Sequence, residues 1–158
     1  FWQRSRFEAA LAAGEFLEHA LVHGSGFYGT LRGPVEENLG RGLDVTKDID
    51  VEGVAQVRRV WPYPRTVAIF LVPPTQGELV QRFRGRGSED QAALERRLET
   101  ARREVRRIGE YDYLVYNSTV DEAAGDLEAV RRAEHCRRER GEEEFRRRWL
   151  TVTPPQVP

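Results

Sequence analysis

Apolar residues recur along this chain at two spacings, and the switches between them mark the elements. Phe7, Ala10 and Leu11 follow Ser5-Arg-Phe-Glu8 at helical spacing. Ser5 and Glu8 form a capping box, which predicts a first helix closed by Gly14. Residues 16–22, Phe-Leu-Glu-His-Ala-Leu-Val, read as a short strand or extended apolar segment with the acid Glu18 inside it. Gly24, Gly26 and Gly29 predict a turn that bends freely and admits another molecule close to the backbone. Tyr28 and Thr30 lie on that turn. Pro34 suits the first turn of a helix carrying Val35 and Leu39 and ended by Gly40 or Gly42.

Asp44 to Asp50 is predicted as a strand ending in acids, with Lys47 out of place in a buried parallel strand. A short helix follows over Gly53–Arg59. Thr66–Val72 is the clearest buried strand, stopped by Pro73-Pro74. Thr75-Gln-Gly-Glu78 caps a helix with Leu79 and Phe83, broken at Arg84-Gly-Arg-Gly87. Ser88-Glu-Asp-Gln91 starts the next, running to about Arg107 with Leu94, Leu98, Ala101 and Val105 on one face. Tyr111–Tyr116 is a third core strand. One long helix is predicted from Asp121 to about Arg140, and the Pro-rich end from Thr151 to Pro158 should fray. Strands alternating with helices give an α/β fold with a mainly parallel sheet. Asp48, Asp50, Pro73-Pro74 and Asn117 fall at predicted strand ends, where ligands of such sheets bind.

Composition narrows this only a little. The chain has 158 residues, 39% hydrophobic, enough for one packed core. Its net charge of −1 argues against a nucleic-acid binder that relies on bulk positive charge. One cysteine, Cys136, excludes an internal disulfide, and no Cys/His cluster has zinc spacing. No apolar run reaches the length of a membrane span, and no signal peptide is visible, so a cytoplasmic location is expected. Of the 25 basic residues only Lys47 is lysine. Arginine suits bidentate recognition of phosphate and carboxylate, although codon bias produces the same excess.

Glu18 and Thr30 form the sharpest candidate pair. A carboxylate among apolar neighbours can accept from guanine N1–H and the exocyclic amine together, while a hydroxyl donates to O6. Adenine would leave the acid unpaired, a rejection worth roughly 10⁴ or more. By itself Glu18 also reads as a partly exposed acid. Asp48 and Asp50 flank Ile49; one such acid can hold the water shell of Mg²⁺, or cap the helix that follows. Arg82, Arg86 and Arg97 belong to a segment that could clamp a triphosphate or sit as a solvated helix paired to Glu95 and Glu99. Asn117 could read adenine or cap a turn. His19, His23 and His135 show no nucleophile–base pattern and read as packing or surface residues. The basic run from Arg131 to Arg148 is assigned no function.

Eight blocks in order carry a resemblance: Phe16-Leu-Glu-His-Ala20, Tyr28-Gly-Thr30, Asp48-Ile-Asp-Val-Glu-Gly53, Ile69-Phe-Leu-Val-Pro-Pro74, Arg82-Phe-Arg-Gly-Arg-Gly-Ser-Glu89, Arg96-Arg97-Leu98, Tyr111-Asp-Tyr113 and Val115-Tyr-Asn117. Over nearly its whole length the chain resembles guanylate kinases. The resemblance implies a P-loop-kinase-like parallel sheet flanked by helices, with a small GMP-binding subdomain over 1–42 and a helical lid over 77–107. The α/β core would span 43–76 and 108–150, with a tail at 151–158. It implies phosphoryl transfer from ATP to GMP with Mg²⁺, with GMP and ATP as partners, and neither nucleic acid nor membrane is expected. Glu18 and Thr30 would read guanine and Tyr28 would hold the GMP phosphate. Asp48 would serve the metal through water and Asp50 the GMP side. Arg82 and Arg86 would come from the lid, Arg97 from its returning helix, and Asn117 would lie by the adenine.

One family hallmark is missing. These residues contain no Gly-rich loop ending Gly-Lys-Ser/Thr, whose amides cradle phosphates and whose lysine neutralises them. Lys47 has no glycine before it, and Ser118 follows Asn117 where an acid is usual. The first expectation is an ordinary guanylate kinase whose N-terminal strand and loop lie outside these residues; alone they would bind GMP weakly and not turn over ATP. Without that strand two sheet edges would stand unpaired, so the piece should fold poorly. The alternative is a catalytically inactive guanylate-kinase-like domain that binds proteins.

Overall fold

In the computed structural model, residues 2–22, 26–85 and 90–151 are described. They divide into two compact units, Phe1–Thr66 and Val67–Pro158.

The first unit is built on an antiparallel hairpin, β1 (Phe16–Val22) and β2 (Gly26–Leu31). Residues 26–31 were expected in a turn; they are a strand, because Phe27, Thr30 and Leu31 give β2 enough apolar and β-branched side chains to pair with β1. Helix α1 (Arg4–Ala12) covers one face through Phe7, whose ring lies 4.6 Å from Phe16 and 4.9 Å from Phe27. Its N-cap is Gln3, with no side-chain cap, so the Ser5–Glu8 box is not used; Glu8 pairs instead with Arg4 at 2.8 Å. Gly14 follows the helix at φ +69°, a turn that a side chain would strain. Helix α2 (Arg32–Gly40) comes next, with Pro34 in its first turn. Helix α3 (Val51–Val60) packs on β1, and Gln56 on it bonds both backbone groups of His19, accepting at 3.1 Å and donating at 3.0 Å.

Residues 44–50 were expected as a strand and are not one. Only Val45 and Ile49 are even half-buried there, and among the described residues no neighbouring strand offers a ladder. Lys47 is exposed, which removes the difficulty of a lysine in a buried strand.

In the second unit β3 (Ile69–Val72) and β4 (Tyr113–Tyr116) form a parallel pair with Phe70 opposite Leu114. Asp112 precedes β4 and its carboxylate accepts from the Ala68 amide at 2.8 Å, tying the entrances of the strands together. Helix α4 (Gln76–Gly85) starts where the capping box places it, with Thr75 Oγ1 accepting from the Glu78 amide at 3.1 Å. Helix α5 (Gln91–Val105) is capped by Asp90, which accepts from the Ala93 amide at 2.6 Å; Ser88, the expected start, lies outside the described residues.

The predicted single helix from Asp121 to about Arg140 is two helices, α6 (Val120–His135) and α7 (Arg138–Leu150). The chain turns at Cys136 and Arg137, and Glu134 organises the corner. Its carboxylate is buried, accepts from Tyr113 Oη at 2.6 Å and Arg137 Nε at 3.0 Å, and meets Arg140 at 3.3 Å. Burial pushes the carboxyl up, but the Tyr113, Arg137 and Arg140 hydrogen bonds and the Arg137 charge outweigh it, so it sits below the ordinary carboxylate value.

Two outcomes follow for stability. A Cβ on Gly29 would stand 2.7 Å from the Phe16 ring and 2.8 Å from the Glu18 carbonyl. Gly29→Ala should therefore cost about 1–3 kcal/mol, read as a lowered denaturation midpoint. Glu134→Gln should cost about 1–3 kcal/mol at neutral pH, since Arg137 and Arg140 lose the negative charge they face and one of the two accepting oxygens becomes a donor. Because folding depresses this carboxyl, the wild-type advantage is complete above about pH 4.5 and shrinks as pH falls through the folded value; denaturant melts across that range measure it.

Candidate functional site

The first unit brings Glu18, Thr30, Tyr28 and Asp50 to one face of the hairpin. In a regular strand Phe16 and Glu18 would point the same way. The register slips between them, with Phe16 opposite Leu31 and Glu18 opposite Thr30, so Leu17 is an extra residue. The slip turns Phe16 toward α1 and Glu18 toward α3. It leaves Glu18 8% exposed and Thr30 8% exposed, side by side. Thr30 Oγ1 donates to Glu18 Oε1 at 2.5 Å, and among the described residues it is the one donor Glu18 has. A carboxylate has about four acceptor positions, so most of this buried group's capacity is open.

Glu18 Oε2 looks onto Gly53 in the first turn of α3, 3.4 Å from where a Cβ would stand. Asp50 Oδ1 lies the same distance from that point, so the two carboxylates are separated by twice that length at most. The positive end of the α3 dipole favours both acids. Asp50 is the N-cap of α3, accepting from the Gly53 amide at 2.7 Å. Asp48, two residues earlier, is exposed and makes no hydrogen bond among the described residues. A hard cation that keeps its water shell suits such a free carboxylate, so Asp48 fits Mg²⁺ held through water. Tyr28 is 51% exposed and follows the same strand face as Thr30.

Thr30 was expected to donate to a base oxygen. In this structure its proton is spent on Glu18, so that donation needs the hydroxyl to rotate. Three further residues escaped the sequence reading. Gly53 keeps the space under Glu18 clear; it closes the Asp48–Gly53 block but was given no role of its own. Gln56 holds the β1 backbone at His19 and left no signal beyond its place on the helix. Arg32, directly after β2, has an Nε that is buried and has no hydrogen-bond partner among the described residues.

The second unit gathers Arg82 and Asn117. Arg82, on α4, donates from Nη2 to the backbone carbonyls of Asn117 at 2.5 Å and Ser118 at 3.1 Å. Asn117 continues the ladder past β4, its amide donating to the Val72 carbonyl at 2.8 Å. Arg97, on α5, lies over the Phe83 ring of α4, 4.5 Å from its centroid. A cavity of about 420 Å³ opens between β3 and the two helices, lined by Phe70, Val72, Leu79, Phe83, Arg97 and Thr100 among others. Arg86 lies outside the described residues.

The family model for guanylate kinase matches residues 1–134. The chain belongs to the guanylate kinase family. It is 47% identical over 127 residues to the guanylate kinase of Leifsonia xyli subsp. xyli, covering 80% of this chain and 49% of that protein. It is 43% identical over 137 residues to that of Hahella chejuensis, covering 87% and 64%. For Aliivibrio fischeri the figures are 39% over 140 residues, covering 89% and 66%. The chain thus spans about half to two thirds of the length of these curated relatives. The crystal structure of guanylate kinase from Anaplasma phagocytophilum superposes with a TM-score of 0.75 at 28% identity, over 97% of this chain and 74% of that one. The fold is accordingly the P-loop-kinase-like α/β fold of the family. Among the described residues no helix is long and apolar enough to cross a membrane.

The two acids before α3 should separate in stability. Asp50→Ala removes a used N-cap and should cost about 1 kcal/mol. Asp48→Ala should stay within about 0.5 kcal/mol. Thermal melts of both variants without ligand check this.

Proposed function

We propose that this chain supplies the GMP-reading and lid portions of a guanylate kinase, which transfers the ATP γ-phosphoryl group to GMP. What supports the reading most is Glu18, a buried carboxylate in a guanylate kinase family member with one described donor and open acceptor positions. Guanine offers N1–H and an exocyclic amine to those positions. Adenine offers a lone pair at N1 and no amine, so the acid would stay buried and unpaired. Thr30 keeps the Glu18 carboxylate turned toward α3, and by rotation its hydroxyl can serve the base oxygen. Tyr28, exposed on the same face, holds the GMP phosphate by its phenol. Asp50 fixes the start of α3 beneath the base.

On the ATP side Arg82, Arg86 and Arg97 neutralise the phosphates, and Asn117 lies by the adenine. Arg82 must exchange its two backbone acceptors for phosphate oxygens, a swap that suits a lid residue engaged only on closure. Asp48 would hold Mg²⁺ through its water shell. The ion supplies charge neutralisation on the transferring phosphoryl group. The cradle of backbone amides and a lysine that such transfer uses is not among these 158 residues, so turnover needs a segment beyond them. The alternative, a catalytically inactive protein-binding domain, gives the open acceptor positions of Glu18 no ligand to serve.

The test is purine discrimination. GMP, and not AMP, should raise the melting temperature of the chain. Glu18→Gln should reduce the preference for GMP over AMP by roughly 10²-fold or more in a calorimetric titration, with the unliganded fold intact by circular dichroism. Equal stabilisation by both nucleotides, or a preference untouched by the substitution, would overturn the reading.

A further inference from the structure

Helix α7 lies beyond the residues that the family model matches, and no site residue falls on it. Its large apolar side chains face water: Phe145 is 59% exposed, Trp149 71% and Leu150 81%. Phe145 and Trp149 rest on each other with ring centroids 5.8 Å apart. Single exposed apolar residues need no explanation, but a contiguous strip does. The strip is set in an ordered pattern of charge, Gly141-Glu-Glu-Glu-Phe145-Arg-Arg-Arg-Trp149, antisymmetric about Phe145. Within the chain these charges already neutralise one another: Arg146 meets Glu142 at 2.7 Å, Arg148 meets Glu144 at 2.7 Å, and Arg147 also meets Glu144. The helix carries five arginines against four glutamates, so net charge draws it to neither an acidic partner nor an anionic surface.

We propose that α7 is a self-association surface on which a second copy of this chain lays its own α7 antiparallel, across a two-fold axis passing beside Phe145. The argument is helical geometry, with about 100° and about 1.5 Å per residue. Taking Phe145 as the residue that faces the partner, Trp149 and Gly141 flank it on opposite sides, one turn above and one turn below. The two-fold sets Phe145 on Phe145 and lifts each Trp149 to the height of the second copy's Gly141, where no side chain stands. A hollow of about 500 Å³ lies at that place, lined by His135, Cys136, Arg138, Gly141 and Phe145 among others. The same operation brings Arg146 within a turn of the second copy's Glu142, and Arg148 within a turn of its Glu144. A parallel pairing would set Glu142 on Glu142 and Arg148 on Arg148, which repel. The contact is isologous, as closed dimers require. One helix face is smaller than a standard interface, so the dissociation constant should be on the order of tens of micromolar or weaker.

Sedimentation equilibrium on the full 158-residue chain, from about 10 to 500 µM, tests this. A monomer–dimer equilibrium is expected. Trp149→Ala and, separately, Gly141→Leu should each weaken it about tenfold or more, with unchanged far-ultraviolet circular dichroism. The decisive arm uses two charge variants. Arg146→Glu with Arg148→Glu makes the flanks wholly acidic, and Glu142→Arg with Glu144→Arg makes them wholly basic. Each should be monomeric alone, and an equimolar mixture should dimerise. A wild-type chain that stays monomeric, or dimers indifferent to Gly141→Leu, overturns the proposal. So does a mixture that fails to associate, or a wild-type chain that binds anionic lipid vesicles without self-associating.

Discussion

The hydrogen bond from Thr30 to Glu18 is the constraint on which the first unit turns. A carboxylate taken out of water needs a donor, and folding has to bring one. Here the donor sits on the opposite strand, so the hairpin's register is fixed by a polar contact as well as by its apolar pattern. The irregularity at Leu17 lets that contact exist while Phe16 still packs on Phe7. Without the extra residue the acid would be driven into the aromatic cluster under α1, where no described donor waits. One inserted residue thus separates a hydrophobic face from a polar face on the same strand.

Much of this was legible in the sequence and some was not, for definite reasons. The apolar run 16–22, the capping box at Thr75 and the strand before Pro73 are local signals, and they gave elements close to those observed. Family blocks around Glu18, Thr30 and Asp48–Gly53 marked residues that the structure does gather in one unit. The misses are non-local. A strand at 44–50 needs a neighbour to pair with, and the spacing of its own residues cannot supply one. The corner at Cys136 and Arg137 is held by Tyr113, far away in sequence, reaching buried Glu134. The turn expected at 26–31 became a strand because its partner overrode the glycine count. Sequence reading also left Arg82 among phosphate ligands only, while the structure shows it holding the chain end of β4.

The arginine excess divides in the same way. Along α6 and α7 most guanidinium groups meet glutamates three or four residues away, with Arg131 to Glu128 and Arg148 to Glu144 as examples. Such exposed pairs add little to stability, so their number says more about codon use and solubility than about function. Arg82 differs because it bonds a pair of backbone carbonyls, and Arg97 because it lies over an aromatic face.

Gln56 carries a consequence that reaches beyond packing. Its amide group presents a carbonyl and an N–H to the backbone of His19, as a third strand would. Strand β1 is therefore flanked by a true strand on one side and a side chain on the other. Any tilt of α3 is passed through that clasp to the residue next to Glu18, and through Asp50 to the loop before the helix. Glu18 and the acids upstream of α3 are mechanically one piece, so a motion of α3 that shifts one shifts the other with it.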